Sequence, residues 1–203
     1  MTIVGVAYFA TRPHPPEVPV MANAGNAAPG TAASGNALSG DAGGVVRAPD
    51  ISNLTPKEQF TRLVARIDRA ATADDTATII NFTPMALGAY ANLPPGDRDV
   101  DARFQAGILA TRAGLVDSAN APAMFDNARA LADTILGESP GNLTGYYLRA
   151  IVADGAGDTR AAQAARAAFR SHYDAEIGRD RPEYRANHDR LQGFFRGGEG
   201  SRP

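Results

Sequence analysis

Asp101-Ala-Arg-Phe104-Gln-Ala-Gly107-Ile108-Leu-Ala-Thr111-Arg112-Ala-Gly114 and Leu143-Thr144-Gly-Tyr146-Tyr147-Leu-Arg-Ala150-Ile151 open the two halves of one stretch, Asp101 to Phe169. Its reading decides the fold. Each half runs small and apolar residues at helical spacing, breaks at a glycine, and resumes the same spacing. The first resumes with Ala128, Leu131, Ala132 and Ile135; the second passes Gly157-Asp158 into Ala161, Ala165 and Phe169. Glu138-Ser-Pro-Gly141 joins the halves. Two helix-turn-helix units in succession are the expected result.

Upstream, Thr55-Pro-Lys-Glu58 has the form of a helix start. Threonine caps, proline takes the first helical position, and glutamate closes a capping box. Phe60, Leu63, Val64 and Ile67 then form an amphipathic stripe, with Arg62, Arg66 and Arg69 on the opposite flank. Ala73-Asp74-Asp75 turns the chain into a second helix holding Ile79, Ile80, Leu87 and Tyr90. Pro84 inside it predicts a kink, or a restart capped by Thr83. Pro94-Pro-Gly96 ends this pair, and the acids of 97–101 open the next helix, which is expected to run to about Ala113. Further helices are expected over about 121–136, 143–153, 159–177 and 182–195, the last with Tyr184, His188, Leu191 and Phe195 on one face. About seven helices in antiparallel pairs and no strand follow, an all-α domain over 51–196.

These residues resemble the tetratricopeptide repeat (TPR), a 34-residue pair of helices with small residues at fixed positions. Gly107 matches the small residue of the first helix, Gly114 its turn, Ala128 the second-helix alanine and Pro140 the closing proline, with 118–125 as an insertion. In the next unit Tyr146 matches the leading aromatic, Ala150 the small residue, Gly157-Asp158 the turn and Ala162 the second helix. The pattern departs at Arg103 and Arg166, where aromatics are usual, and at Ala110 and Ala153, where the family has tyrosine. The resemblance implies a short TPR-like α-solenoid in which neighbouring pairs share a continuous core. Gly107, Ala128, Ala150 and Ala162 are then small because helix axes approach there.

The resemblance also implies a concave surface lined by the first helix of each pair. Its candidate partner-binding residues are Asp101, Phe104, Ile108, Thr111 and Arg112, then Thr144, Tyr147 and Ile151. With Arg62, Arg66 and Arg69 they would make a groove of mixed apolar and basic character, suited to a peptide segment. The competing assignment for Phe104, Tyr147 and Ile151 is plain core.

The termini read differently. Ile3, Val4, Val6, Tyr8 and Phe9 belong to an apolar run over 1–11. It is shorter than the roughly 20 residues of a spanning helix, and no basic region precedes it. Its expected role is membrane association, as the outer half of a span that begins upstream or as an apolar tail packed on a partner. Residues 12–50 are a Pro/Gly/Ala-rich linker that buries too little apolar surface to fold alone. Fully extended, it reaches on the order of 100 Å. Residues 197–203 are expected to form a flexible tail.

Composition excludes several classes. The 203 residues contain no cysteine, so disulfides and thiolate zinc sites are impossible. Net charge is -2, which gives no overall bias toward nucleic acid. Nineteen arginines to one lysine, with abundant alanine, fit a GC-rich bacterial genome. His172, Glu176 and His188 lack metal-site spacing, and 97–101 lacks the glycine and final glutamate of a calcium loop. The glycine-rich stretch 22–44 has no phosphate-binding lysine. No nucleophile–histidine constellation is apparent. The expectation is a non-enzyme without cofactor, metal, nucleic acid or small-molecule substrate. It is a protein-interaction scaffold, tethered to the membrane with its helical domain on the periplasmic side, serving as an accessory or assembly subunit of a larger bacterial membrane complex. Respiratory, cytochrome-assembly and photosynthetic complexes are examples. The alternative is a soluble peptide-binding adaptor, and a cytoplasmic place is the second option for location.

Overall fold

The computed structural model describes residues 53–197, and every regular element among them is helical. The apolar start, the linker and the tail beyond Gly197 lie outside the described residues. The elements are α1 (Pro56–Thr72), α2 (Thr76–Ala91), a 3-10 turn (Pro95–Asp97), α3 (Val100–Val116), α4 (Ala121–Glu138), α5 (Leu143–Gly155), α6 (Thr159–Glu176), α7 (Pro182–Ala186) and α8 (His188–Arg196).

Local chemistry sets most of the boundaries. The Thr55 hydroxyl accepts the Glu58 N–H at 3.3 Å, and the Glu58 carboxylate accepts the Thr55 N–H at 2.9 Å. Asp75, Asp99, Asn142 and Asp158 cap α2, α3, α5 and α6 through their side-chain oxygens. These caps satisfy N–H groups that a helix start leaves without partners. Asp74 at φ 54° and Gly157 at φ +76° make the left-handed steps in the two three-residue turns.

Short turns fold each helix back on its predecessor, and consecutive helices from α1 to α6 pack as neighbours. Alternate helices also touch: α1 meets α3, and α3 meets α5. Three buried clusters fill the spaces between them. The first joins Phe60, Leu63, Ile67 and Phe82 to Leu109; the second gathers Phe104, Phe125, Ile135 and Leu148; the third holds Leu143, Phe169, Tyr173, Tyr184 and Leu191. Helix α3 contributes to the first two, so the core passes from one helix pair to the next. Ala128, Ala150 and Ala162 are wholly buried. A methyl on Gly107 would collide with the Leu148 side chain.

Several details differ from the sequence expectation. Helix α3 does not end near Ala113 and Gly114 makes no turn, because the helix continues to Val116. Gly114 is small because the Phe125 ring lies against it: an added Cβ would sit 2.8 Å from Phe125 Cε1. Gly155 faces the same ring at the same distance. Pro84 does not restart α2, which is one helix from Thr76 to Ala91. Thr83 is buried in mid-helix and its hydroxyl donates to the Ile79 carbonyl at 2.8 Å. The carbonyl that loses its donor to Pro84 belongs to Ile80, a residue on the exposed side of the helix. Pro182–Phe195 is not a single helix. Asn187, at φ -118° and ψ 18°, separates α7 from α8, and His188 is exposed, away from the face that buries Tyr184 and Leu191.

Candidate functional site

Helices α1 and α3 frame a groove with two depressions. On α3 its wall is one stripe: Asp101 and Gln105 line the first depression, Ile108 and Arg112 the second. The spacings of four, three and four residues keep these side chains on one face. On α1, Thr61, Ala65 and Asp68 line the first depression, and Ala71 and Thr72 the second. The Asp68–Arg112 ion pair spans the groove between them.

The second depression has a volume of about 390 Å³ and is mainly apolar. Ile108, Tyr147, Ile151, Leu115 and Val116 supply its apolar lining, with Arg112 and Arg190 at the rim. Leu115 is 44% exposed, unusual for a leucine beside a formed core. Burial pushes the Tyr147 hydroxyl pKa upward, against the opposing pull of Arg190 and Arg112. The first depression, about 320 Å³, is acidic: Asp68, Asp97, Asp99 and Asp101 face one cation, Lys57. Lys57 pairs with Asp97 at 3.0 Å, and Asp99 caps α3 through the Ala102 N–H at 2.8 Å. Burial pushes the half-buried Asp101 carboxyl upward, and the charges of Asp99 and Glu183 push it the same way.

The C-terminal helices close one side. Arg190 lies 5.7 Å over the Phe104 ring and donates to Asn187 Oδ1 at 3.1 Å. Phe194 meets Tyr147 and Phe169 edge-on, each at 4.8 Å between ring centres. Below it, Tyr184 donates to the buried Glu176 at 3.1 Å and accepts the Leu143 N–H at 3.0 Å. Arg181 approaches Glu176 at 3.3 Å and Glu183 at 3.9 Å.

Of the residues the sequence nominated, Ile108, Thr111, Arg112, Tyr147 and Ile151 share the apolar depression, and Asp101 lines the acidic one. Phe104 is fully buried beneath Tyr147 and Arg190. Thr144 is fully buried too, its hydroxyl donating to Asn142 at 2.6 Å. Arg62, Arg66 and Arg69 line neither depression; Arg66 lies 3.9 Å over the Phe82 ring of α2. The groove is therefore apolar and acidic where the sequence suggested apolar and basic. Sequence reasoning passed over Lys57, Asp68, Asp97, Asp99, Leu115 and Arg190. On α1, Asp68 recurs with Thr61 and Thr72 at helical spacing beside the arginine stripe, and that was the available signal.

His172 stacks on Tyr146 at 5.4 Å, away from the groove. Among the described residues no group of three or more His, Asp or Glu is arranged to hold a metal ion. No helix among them is long and apolar enough to cross a membrane. No protein-family pattern, curated protein or solved structure matches this chain.

Proposed function

We propose that this chain is a non-catalytic protein-interaction scaffold whose helices form a short TPR-like solenoid, with the α1–α3 groove as its partner-binding surface. The observation that carries the reading is the unfilled apolar depression at Ile108, Tyr147 and Ile151, open beside a formed core. Contacts between alternate helices, α1 with α3 and α3 with α5, support the solenoid reading. The apolar run 1–11 and the long linker support attachment of this domain to a membrane complex as an accessory or assembly subunit, on the periplasmic side.

The test is site-specific cross-linking in native membranes. A photoreactive phenylalanine analogue replaces Ile151 in the groove or Met85 on the exposed side of α2. The scaffold reading expects one discrete adduct from position 151, identified by mass spectrometry as a membrane-complex subunit, and none from position 85. Equal labelling from both positions, or none from 151, sinks it. Membrane attachment is tested on its own: recovery of the whole chain in a salt-washed soluble fraction overturns the tether.

A further inference from the structure

We infer that the groove takes a basic amphipathic helix of a partner protein, its cation at Asp101 and its bulky apolar side chains in the depression at Ile151. This rests on the scaffold reading and gives the partner its chemistry.

Charge complementarity argues for that occupant. Asp68 is matched by Arg112, Asp97 by Lys57, and Asp99 by the start of α3. Asp101 is different. Its carboxylate accepts the Asn187 amide at 3.2 Å and forms no ion pair with a cation of the described residues, while the charges of Asp99 and Glu183 oppose its ionisation. The positive ends of α1 and α3 offset part of this negative charge, but Glu58 and Asp99 already occupy them as capping carboxylates. A cation arriving at Asp101 therefore gains attraction that the fold itself does not supply. An acidic segment meets repulsion at the same place.

Length and shape set the rest. Asp101 and Leu115 mark the two ends of the groove on α3. At about 1.5 Å per residue they lie roughly 20 Å apart, which about four turns of a partner helix would cover. The apolar depression, about 390 Å³, falls within the size of ordinary ligand pockets, roughly 300–1,000 Å³. A leucine or phenylalanine on the partner's inner stripe then sits against Ile108 and Ile151, and the exposed Leu115 gains cover.

The full chain is titrated with a fluorescein-labelled synthetic helix of about 15 residues. The probe carries arginines in its first two turns and leucines in its last two, all on one stripe. A second probe has glutamate for each arginine. The arginine probe is expected to bind about tenfold or more tightly than the glutamate probe and to weaken as salt is raised. The Asp101→Asn variant should cost the arginine probe about tenfold and leave circular dichroism unchanged. Leu115→Glu should weaken it as well, through the apolar end. Equal binding of the two probes, or no loss in Asp101→Asn, overturns the charge assignment. No binding of the arginine probe overturns the inference, while a discrete cross-link from position 151 leaves the scaffold reading standing.

Discussion

The Asn187 side chain donates to Asp101 Oδ1 at 3.2 Å, joining residues eighty-six positions apart. This contact ties the α7–α8 junction to the start of α3, although α4, α5 and α6 lie between the two in chain order. The same amide group donates to the Glu183 carbonyl at 2.9 Å, and Asn187 is 5% exposed. One side chain thus holds the break between two short helices and fixes them against the groove. Asn187→Ala should cost about 1–2 kcal/mol, the usual loss for buried hydrogen bonds. Hydrogen exchange should show α8 losing protection before α1 to α6. Uniform loss across all helices would mean that α8 is no separate unit.

Tyr184→Phe separates hydrogen bonding from packing. The ring fills the third core cluster, and its hydroxyl serves both the Leu143 N–H and the Glu176 carboxylate. Removing the hydroxyl leaves a buried N–H at the start of α5 without its partner. The expected loss is about 1–3 kcal/mol in urea unfolding. The unfolding slope should not change, because the buried area is the same. Burial, the largest influence, drives the Tyr184 pKa far upward. The hydroxyl should therefore show no phenolate absorbance at a pH that ionises exposed tyrosines.

Helices and most caps were legible in the sequence because they depend on residues within one turn of each other. Thr55 with Glu58 is the clearest case, since the two halves of the capping box lie three positions apart in the chain. Gly114 was misread because a glycine needed for a turn and one needed for a ring look alike in sequence. Only the placement of Phe125, eleven residues later, tells them apart. Arg103 and Arg166 stand where the repeat pattern has aromatics, and so read as departures from it. Each is instead held by a carboxylate on the adjoining helix, Glu138 and Asp154. The groove was half legible for a similar reason: the α3 and α5 faces follow from spacing, whereas which flank of α1 turns toward α3 depends on packing that no single helix encodes.

Asp101 makes stability depend on pH in a definite direction. Burial, foremost, raises its folded pKa above the unfolded value near 3.9. Its contribution is therefore fully favourable below that value and is lost as pH rises through the raised one. Glu58 and Asp75 act oppositely: hydrogen bonds from Thr55 and Thr78 hold their carboxyls low, so their contribution is lost on acidification. The difference between Asp101→Asn and the parent isolates the first effect. The variant should melt higher at pH 7, where it no longer holds a charge among Asp99 and Glu183. This advantage should shrink as pH falls toward 4. An advantage that stays constant with pH would mean that the carboxylate's charge is not what costs stability.

Gly107 and Leu148 test whether α3 and α5 approach as closely as their small residues imply. Alanine favours a helix over glycine by about 1 kcal/mol, so Gly107→Ala would stabilise a helix standing alone. Here the added methyl collides with the fully buried Leu148 side chain, which must shift within the packed core to make room. Overpacking of this kind costs about 1–3 kcal/mol, and the net change should be destabilising. Leu148→Val withdraws the colliding atoms and alone should cost on the order of 1 kcal/mol. The double variant should then lose less than the sum of the two singles, by about 0.5 kcal/mol or more. Chemical denaturation of the four proteins gives the coupling directly. Strict additivity would mean that the helices separate easily at this point, and that the small residues are not what brings α3 against α5.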